Sequence, residues 1–578
     1  MHRNYIGIAC TGHDGAISIV NAKGEIIFAE AAERYLQNKR AILSPPIDIV
    51  RIHEVINKYC DPDAKIIIAK SWSTVKTIQQ LIEAFESKIS KEGEFNPQWR
   101  LPFQLCTNFF DIVKYSIMNG EKSLLDFFLR QKKKVKVRSY DHHLSHAASS
   151  AHTSPFDEAA CAIIDGFGEG AAINFFHYYR GHFMPLKEKN SNIEIASLGT
   201  FYALSLCRLC GFSGLKGEEW KIMGLAAYGR FNGDIYDIFK KILTVDGLRL
   251  YHPNEAKKAY RELIQYGRKP GTPAESVADF AFTGQFFFSE IMTQLLNNLY
   301  CMELSENLLL GGGCALNSAY IGQIIKSTRF KHVHVNSAPA DDGTALGAAM
   351  LAFYEDNPDA KIANSFATPY LGSKMSSETL DNLRRFGKIK GLRILEYETI
   401  YSETAKLLAE GKIIGWVQGR AEFGPRALGN RSILADPRRP DMKDKINRAV
   451  KFREKFRPFA PSVLHEFGDE YFMDYQESPY MERTLKFRPN VYNQVPAVVH
   501  EDGTGRLQTV KKEWNEKYHD LISEFHRLTG IPMLLNTSFN IMGKPIIHSV
   551  EDAMAVFYTT GLDVLVINNF FIEKTASS

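Results

Sequence analysis

Tyr5-Ile6-Gly7-Ile8-Ala9-Cys10-Thr11-Gly12-His13-Asp14-Gly15-Ala16-Ile17-Ser18-Ile19-Val20 reads as two apolar strands folded about a turn. Gly12 and Gly15 bracket His13 and Asp14, so the bend presents two ionisable side chains. A second turn at Asn21-Ala22-Lys23-Gly24 leads into Glu25–Glu30, which extends the hairpin to a third strand. A similar opening recurs downstream, where the buried strand Cys161-Ala162-Ile163-Ile164-Asp165 runs into Gly166-Phe167-Gly168-Glu169-Gly170. The pair of openings predicts an internally duplicated α/β fold that holds a nucleotide in a cleft.

The chain has 578 residues, too many for one hydrophobic core, so two to four domains are expected. Residues 73–135 turn helical and aromatic with no catalytic cluster, as an insertion would. A second alternating block starts near Asn307, runs from Leu308-Leu309-Leu310 into Gly311-Gly312-Gly313, and ends in a helix over Gly343–Tyr354. Residues 355–375 have the composition of a linker. Beyond them Leu392–Ile400, a helix at 402–410 and the strand Ile413–Val417 open a separate α/β domain.

Composition excludes several classes. Apolar content of 45% and charged content of 24% suit a soluble globular protein, and a formal charge of +4 gives no general case for nucleic acid or membrane binding. The first apolar stretch is too short for a signal segment, and no run approaches transmembrane length. Eight scattered cysteines fit a reducing cytoplasm. Cys207 and Cys210 form a CxxC, but Leu-Ser-Leu-Cys-Arg-Leu-Cys is an apolar helix face, which points to core packing over zinc.

His142 and His146 lie four apart in a stretch of small residues, Asp141-His142-His143-Leu144-Ser145-His146-Ala147-Ala148, so a helix sets both imidazoles on one face. An HxxxH pair alone is weak. Two aspartates at strand ends before glycine, Asp165 and Asp341, complete a mixed nitrogen and oxygen set suited to iron(II), manganese or zinc. The glycine turns at 13–16, 165–169 and 311–313 look like phosphate and nucleoside loops. Lys39 and Lys221 are candidate phosphate or substrate contacts.

The C-terminal third carries Gln418-Gly419-Arg420-Ala421-Glu422-Phe423-Gly424-Pro425-Arg426-Ala427-Leu428-Gly429-Asn430-Arg431-Ser432, three arginines among glycines and a proline. Guanidinium groups fork onto phosphate or carboxylate oxygens, and glycines let backbone N–H groups approach the same anion. Lys451, Arg453 and Arg457, then Arg506, then Asn536 and Ser538 follow, enough cations and hydroxyls for more than one phosphate group.

On these ordered motifs the chain resembles the NodU/CmcH/TobZ-type O-carbamoyltransferases over nearly its whole length. The resemblance implies an ASKHA-type domain at 1–365, of the kind shared with tRNA threonylcarbamoyl transferases, with the 73–135 insertion, and a YrdC-like domain at 366–578. In such enzymes the second domain makes carbamoyl adenylate from ATP and carbamoyl phosphate, releasing pyrophosphate, and the first transfers carbamoyl to a hydroxyl. Carried over by position, His142, His146, Asp165 and Asp341 would bind the metal, usually iron(II), while Mg(II) would accompany ATP. Gly166, Gly168, Gly311, Gly312, Gly313 and Asn317 would lie near the nucleotide. Arg426, Arg431, Lys451, Arg457, Arg506, Asn536 and Ser538 would hold ATP and carbamoyl phosphate. His13, Asp14 and Lys39 are the catalytic candidates, with His13 or Asp14 as general base toward the acceptor.

The expected partners are ATP, carbamoyl phosphate and a small hydroxylated acceptor such as a natural product or saccharide, with no nucleic acid and no membrane, in a possible homodimer. Three rivals are weaker. A metallopeptidase would need HExxH, and position 143 is His. A tRNA-modifying enzyme would need a basic face that the net charge does not suggest. A non-catalytic nucleotide-binding regulator is the third.

Overall fold

The computed structural model describes residues 2–42, 44–72, 120–186, 194, 196–360 and 367–574. Most of the expected insertion, residues 73–119, lies outside the described residues. Its described end is a helix over Lys122–Arg130.

Contacts divide the mixed α/β chain into two units. The first comprises Met1–Leu36, Arg40–Leu316 and Ile324–Ala367; the second comprises Gln37–Lys39, Asn317–Gln323 and Thr368–Ser578. The stretch read as a linker is therefore short: the helix before it runs to Asp356, and by Gly372 the backbone is donating to the Ala421 carbonyl inside the second unit.

The first unit holds two five-stranded sheets. One is built from β1 (Arg3–Ala9), β2 (Ala16–Val20), β3 (Ile26–Ala31), β4 (Lys65–Lys70) and β5 (Val135–Ser139), in the order β3-β2-β1-β4-β5. β1, β2 and β3 pair antiparallel, whereas β4 and β5 join in parallel. The other is built from β6 (Glu158–Ile164), β7 (Ile173–Tyr179), β8 (His182–Pro185), β11 (Asn307–Gly311) and β12 (His332–His334), in the order β12-β11-β6-β7-β8. Here β6, β7 and β8 are antiparallel and β11 and β12 parallel. A small hairpin, β9 (Thr244–Asp246) with β10 (Arg249–Tyr251), stands apart from both. Cys207 and Cys210 are buried and free, as a core-facing pair should be.

Two helices pack on these sheets. His142–His152 starts at Asp141, whose carboxylate accepts from the Leu144 amide at 3.1 Å, and its alanines and serines leave it thin. Thr344–Asp356 is nearly all buried along Thr344–Phe353. The two approach so closely that a Cβ on Gly347 would overlap the Ser145 carbonyl oxygen. Ser18 Oγ, from β2, donates to the Ala345 carbonyl at 2.8 Å, so the same helix is also tied to the first sheet.

The second unit has one nine-stranded mixed sheet, β13 (Leu392–Ile394), β14 (Ile414–Val417), β15 (Arg431–Ala435), β16 (Ala460–Leu464), β17 (Arg483–Lys486), β18 (Thr504–Val510), β19 (Met533–Ser538), β20 (Val564–Ile567) and β21 (Phe570–Glu573). Its order is β13-β21-β20-β14-β15-β19-β16-β18-β17. The central strands are buried on both faces, and Trp416, Leu434, Leu535 and Val566 join one core. The segment Leu392–Ile400 divides between the strand β13, which ends at Ile394, and the start of the helix Tyr397–Ala409. Among the described residues no helix is long and apolar enough to cross a membrane.

Gly347→Ala should lower the melting temperature, because a methyl group forced between two backbones costs about 1–3 kcal/mol. Gly233→Ala, where a Cβ meets nothing within 4 Å, should not lower it. Thermal denaturation of the two variants in parallel checks this.

Candidate metal centre and anion site

The Thr344–Asp356 helix is preceded by a tight turn over Asp341–Gly343, and its contact with His142–His152 brings Asp341 to the histidines. Asp165, just past β6, comes from the other side. His142 Nε2 lies 3.4 Å from Asp165 Oδ2 and 3.7 Å from Asp341 Oδ1; His146 Nε2 lies 3.7 and 3.4 Å from the same atoms. The two Nε2 atoms are 3.2 Å apart. All four side chains are buried, and one ligand atom from each falls within 4.8 Å of all the others.

A divalent ion with bonds of about 2.0–2.2 Å sets neighbouring ligand atoms about 3–3.5 Å apart, so two nitrogens and two oxygens at these separations fit one. The neighbouring Asp342 carboxyl does not add to the set. Burial, with Asp14, Glu33 and Asp341 around it, pushes Asp342 up to about 8, which keeps it neutral at pH 7.

Electrostatics also call for a cation here. Burial would raise the Asp165 carboxyl, but His142, His146 and the Gly313 amide, 2.7 Å from Oδ1, hold it well below the usual carboxylate range. Burial would lower His142, yet Asp165, Asp341 and Glu169 raise it to about 9. Without a metal, a proton occupies the imidazole.

Beside this set stands a second group. His13 Nδ1 is 2.9 Å from Asp14 Oδ2 and 3.6 Å from Asp341 Oδ2. Arg40 donates from Nε and Nη2 to the same Asp14 oxygen at 3.0 and 2.8 Å, and its Nη2 is 3.0 Å from His13 Nδ1. Burial would raise Asp14, but Arg40 and His13 hold it well below the ordinary range. Asp14 and Arg40 both take the left-handed backbone region, at φ +53° and +62°, which is costly for residues with a Cβ. Arg40 was invisible to sequence reasoning, since an arginine after Lys39 carries no motif.

The glycine turns serve the metal set at least as much as any nucleotide. Gly312 has φ +88° and a Cβ there would overlap the Ile164 carbonyl oxygen, while the Gly313 amide donates to Asp165. A Cβ on Gly168 would overlap the His143 ring. The Gly166 carbonyl accepts from Ser197 Oγ at 2.6 Å and from Thr200 Oγ1 at 3.1 Å. Asn317 belongs to the second unit, where its side chain caps the short helix Ser318–Ile321. Lys221 is paired with Glu218 at 2.9 Å and lies over the Phe212 ring.

In the second unit the arginine run divides by role. Arg431 is fully buried and donates from Nη1 to the Gln418 and Asn430 carbonyls and from Nη2 to those of Ser373 and Gly419. In that position it braces the loop. Arg420 likewise donates to the Gly372 and Leu371 carbonyls. Glu422 Oε1 accepts the amides of Leu428, Asn430 and Arg431 at 2.7, 2.8 and 3.1 Å, an anion supplied by the chain itself. Only Arg426 is left over, with no hydrogen bond or carboxylate partner among the described residues.

Arg426 joins a crowd of like charges. Burial lowers it to about 10. Burial and then Arg426, Arg453 and Arg457 lower Arg506 well below its ordinary value, and its buried Nε meets no acceptor. Burial, then Arg453, Arg457 and Lys39, lower Lys451. Lys39, grouped with His13 and Asp14 on sequence, thus falls in the second unit and acts on Lys451. Lys451 Nζ donates to Ser538 and Asn540. Arg457 pairs with Glu454 at 3.4 Å. Asn536 does not reach this group through its amide nitrogen, which is held by Ala427, Ser462 and Gln508 in the core.

Two family models match the chain: Carbamoyltransferase N-terminus over residues 4–350, and Carbamoyltransferase C-terminus over residues 405–574. An uncharacterized Synechocystis protein is 32% identical over 99% of this chain and 97% of its own. The nodulation protein NolO of Bradyrhizobium diazoefficiens is 36% identical over 76% of this chain and 79% of its own. The 3'-hydroxymethylcephem-O-carbamoyltransferase of Amycolatopsis lactamdurans is 31% identical over 62% of this chain and 65% of its own. Among solved structures, full-length HypF in its phosphate- and nucleotide-bound form is 13% identical, covering 61% of this chain and 56% of that one, at a TM-score of 0.35.

Metal uptake should be proton-linked. A divalent ion needs neutral His142, so binding at pH 7 should release about one proton from it, and apparent affinity should rise about tenfold per pH unit up to pH 9, then flatten. Calorimetry of metal binding in buffers of different ionisation enthalpy measures the release.

Proposed function

The chain belongs to the carbamoyltransferase family, and from that premise we propose an ATP-dependent O-carbamoyltransferase whose two units divide the reaction. The second unit makes carbamoyl adenylate, and the first passes the carbamoyl group to a hydroxyl of a small acceptor. One observation carries the first half: Arg426, Lys451, Arg453 and Arg506 crowd together without a carboxylate in ion-pair range among the described residues, a charge arrangement that only a polyanion relieves.

The balance of the first step is carbamoyl phosphate, ATP and water going to carbamoyl adenylate, pyrophosphate and phosphate. Mg(II) travels with ATP, while Arg426, Lys451, Arg453, Arg457 and Arg506 stabilise the charge that accumulates on the leaving pyrophosphate. Lys39 adds a further cation to that group.

In the second step a hydroxyl oxygen attacks the carbamoyl carbon, AMP leaves, and the hydroxyl proton passes to His13 Nε2. In this reading Nδ1–H faces Asp14, which leaves Nε2 as the basic nitrogen of the ring, and Arg40 keeps Asp14 ionised for this purpose. His142, His146, Asp165 and Asp341 would hold a divalent metal, iron(II) on this reading, and it would supply Lewis acidity to the transfer. The named activity of the Amycolatopsis relative, on a hydroxymethyl group, supports a hydroxyl as acceptor.

The fold belongs to the same proposal. Both sheets of the first unit run as three antiparallel strands followed by two parallel ones, which supports a duplicated ASKHA-type domain at 1–365. The nine-stranded sheet then belongs to a YrdC-like domain at 366–578.

Arg426→Met and Arg506→Met should each cut pyrophosphate release from ATP and carbamoyl phosphate by about a hundredfold or more, yet leave transfer from ready-made carbamoyl adenylate near the wild-type rate. His142→Ala should do the reverse. Pyrophosphate release that survives in both arginine variants would sink the assignment. Arg431→Met should instead lower the melting temperature, because four carbonyls, those of Gln418, Asn430 and Ser373 in buried contacts, each lose a donor.

A further inference from the structure

A histidine that binds a metal through one ring nitrogen ordinarily donates from the other to a carbonyl or carboxylate, and that bond fixes the ring plane. His142 lacks it among the described residues: Nδ1 is buried and meets no hydrogen-bond partner there. Something else must stop the ring from turning about Cβ–Cγ and swinging Nε2 away from Asp165 and Asp341.

Trp72 is in place to do this. β4 ends at Lys70, whose carbonyl accepts the Tyr140 amide at 2.9 Å, while the Ser71 amide donates to the Ile8 carbonyl at 3.2 Å. These bonds pin the backbone just before Trp72 between β1 and the residue that leads into the His142–His152 helix. The Trp72 side chain is 1% exposed and joins the core with Ile6, Ile8, Cys10 and Ile68. Its indole stacks on the His142 imidazole, with centroids 4.4 Å apart and planes 29° from parallel. His146 meets the His142 ring edge-on at 4.7 Å. Rotating His142 would drive its edge into the indole face.

We propose that Trp72 is the positioning residue of the metal centre, setting the His142 ring plane by stacking in the place of a hydrogen bond. This rests on the reading of the four-residue set as a metal site. The indole Nε1 is itself buried and meets no partner among the described residues, so the contact with His142 is made by the flat face of Trp72 and not by its nitrogen.

Mn(II) binding to the full chain tests the proposal, with the free ion counted by electron paramagnetic resonance. Trp72→Leu fills most of the volume without a plane and should weaken binding about 10–100-fold, the usual cost of losing a partner that orients a ligand. Trp72→Phe keeps a plane and should bind within a few-fold of wild type. Mn(II) should also quench a component of wild-type fluorescence that is missing from Trp72→Phe. A leucine variant that binds as tightly as wild type overturns the proposal. So does equal loss in both variants, which would make the effect one of packing. His142→Ala separates the two readings: if it binds Mn(II) like wild type, the metal site itself is misassigned, whereas the stacking role alone fails if only Trp72→Leu does so.

Discussion

The contact of the Thr344–Asp356 helix on His142–His152 is the constraint on which the first unit depends. Two backbones touch where Gly347 faces the Ser145 carbonyl, and no side chain fits between them. That closeness carries Asp341, at the head of one helix, to the imidazoles in the first turns of the other. The donation from Ser18 to the Ala345 carbonyl ties the same helix to β2. His13 and Asp14 occupy the turn between β1 and β2 and thereby share the register of the ligands. The Asp341 separations of 3.7 and 3.4 Å from the two imidazoles follow from this helix packing, while Asp165 is brought in by the turn after β6.

The buried charges in this unit are arranged so that each is answered except where a cation belongs. Arg40 answers Asp14, the Gly313 amide answers one oxygen of Asp165, and burial keeps Asp342 protonated. What is left is a pair of carboxylate oxygens facing two imidazole nitrogens, with His142 raised to about 9 by the field they make. The strain at Asp14 and Arg40 is of the kind that persists only when surrounding contacts over-determine a conformation, and the shared Asp14 oxygen provides them.

The second unit shows the opposite imbalance. Glu422 collects three amides and Arg431 four carbonyls, so the loop between β14 and β15 is braced by its own anion and cation. Because these two groups satisfy the backbone internally, Arg426 stays available. Lys451, Arg453 and Arg506 come from the segment before β16 and from β18 to meet it, and burial first, then the neighbouring like charges, push all three below their ordinary values.

Much of this was legible in the sequence for simple reasons. The hairpin over β1 and β2, the strand before Asp165, the helical spacing of His142 and His146 and the family resemblance all rest on patterns within a few residues of one another, where chain geometry alone decides which side chains share a face. The roles inside the arginine run were not legible. Arg420, Arg426 and Arg431 are chemically the same residue in one loop, and which of them meets carbonyls and which is left over depends on Ser373, Gly372 and the strands on either side. The placement of Lys39 with Lys451, the grip of Arg40 on Asp14 and the stacking of Trp72 on His142 likewise join residues far apart in the chain. Local pattern determined which chemistry the chain carries; only packing over long sequence distances decided which copy of each residue performs it, because burial and partner atoms are properties of the folded neighbourhood and not of the residue.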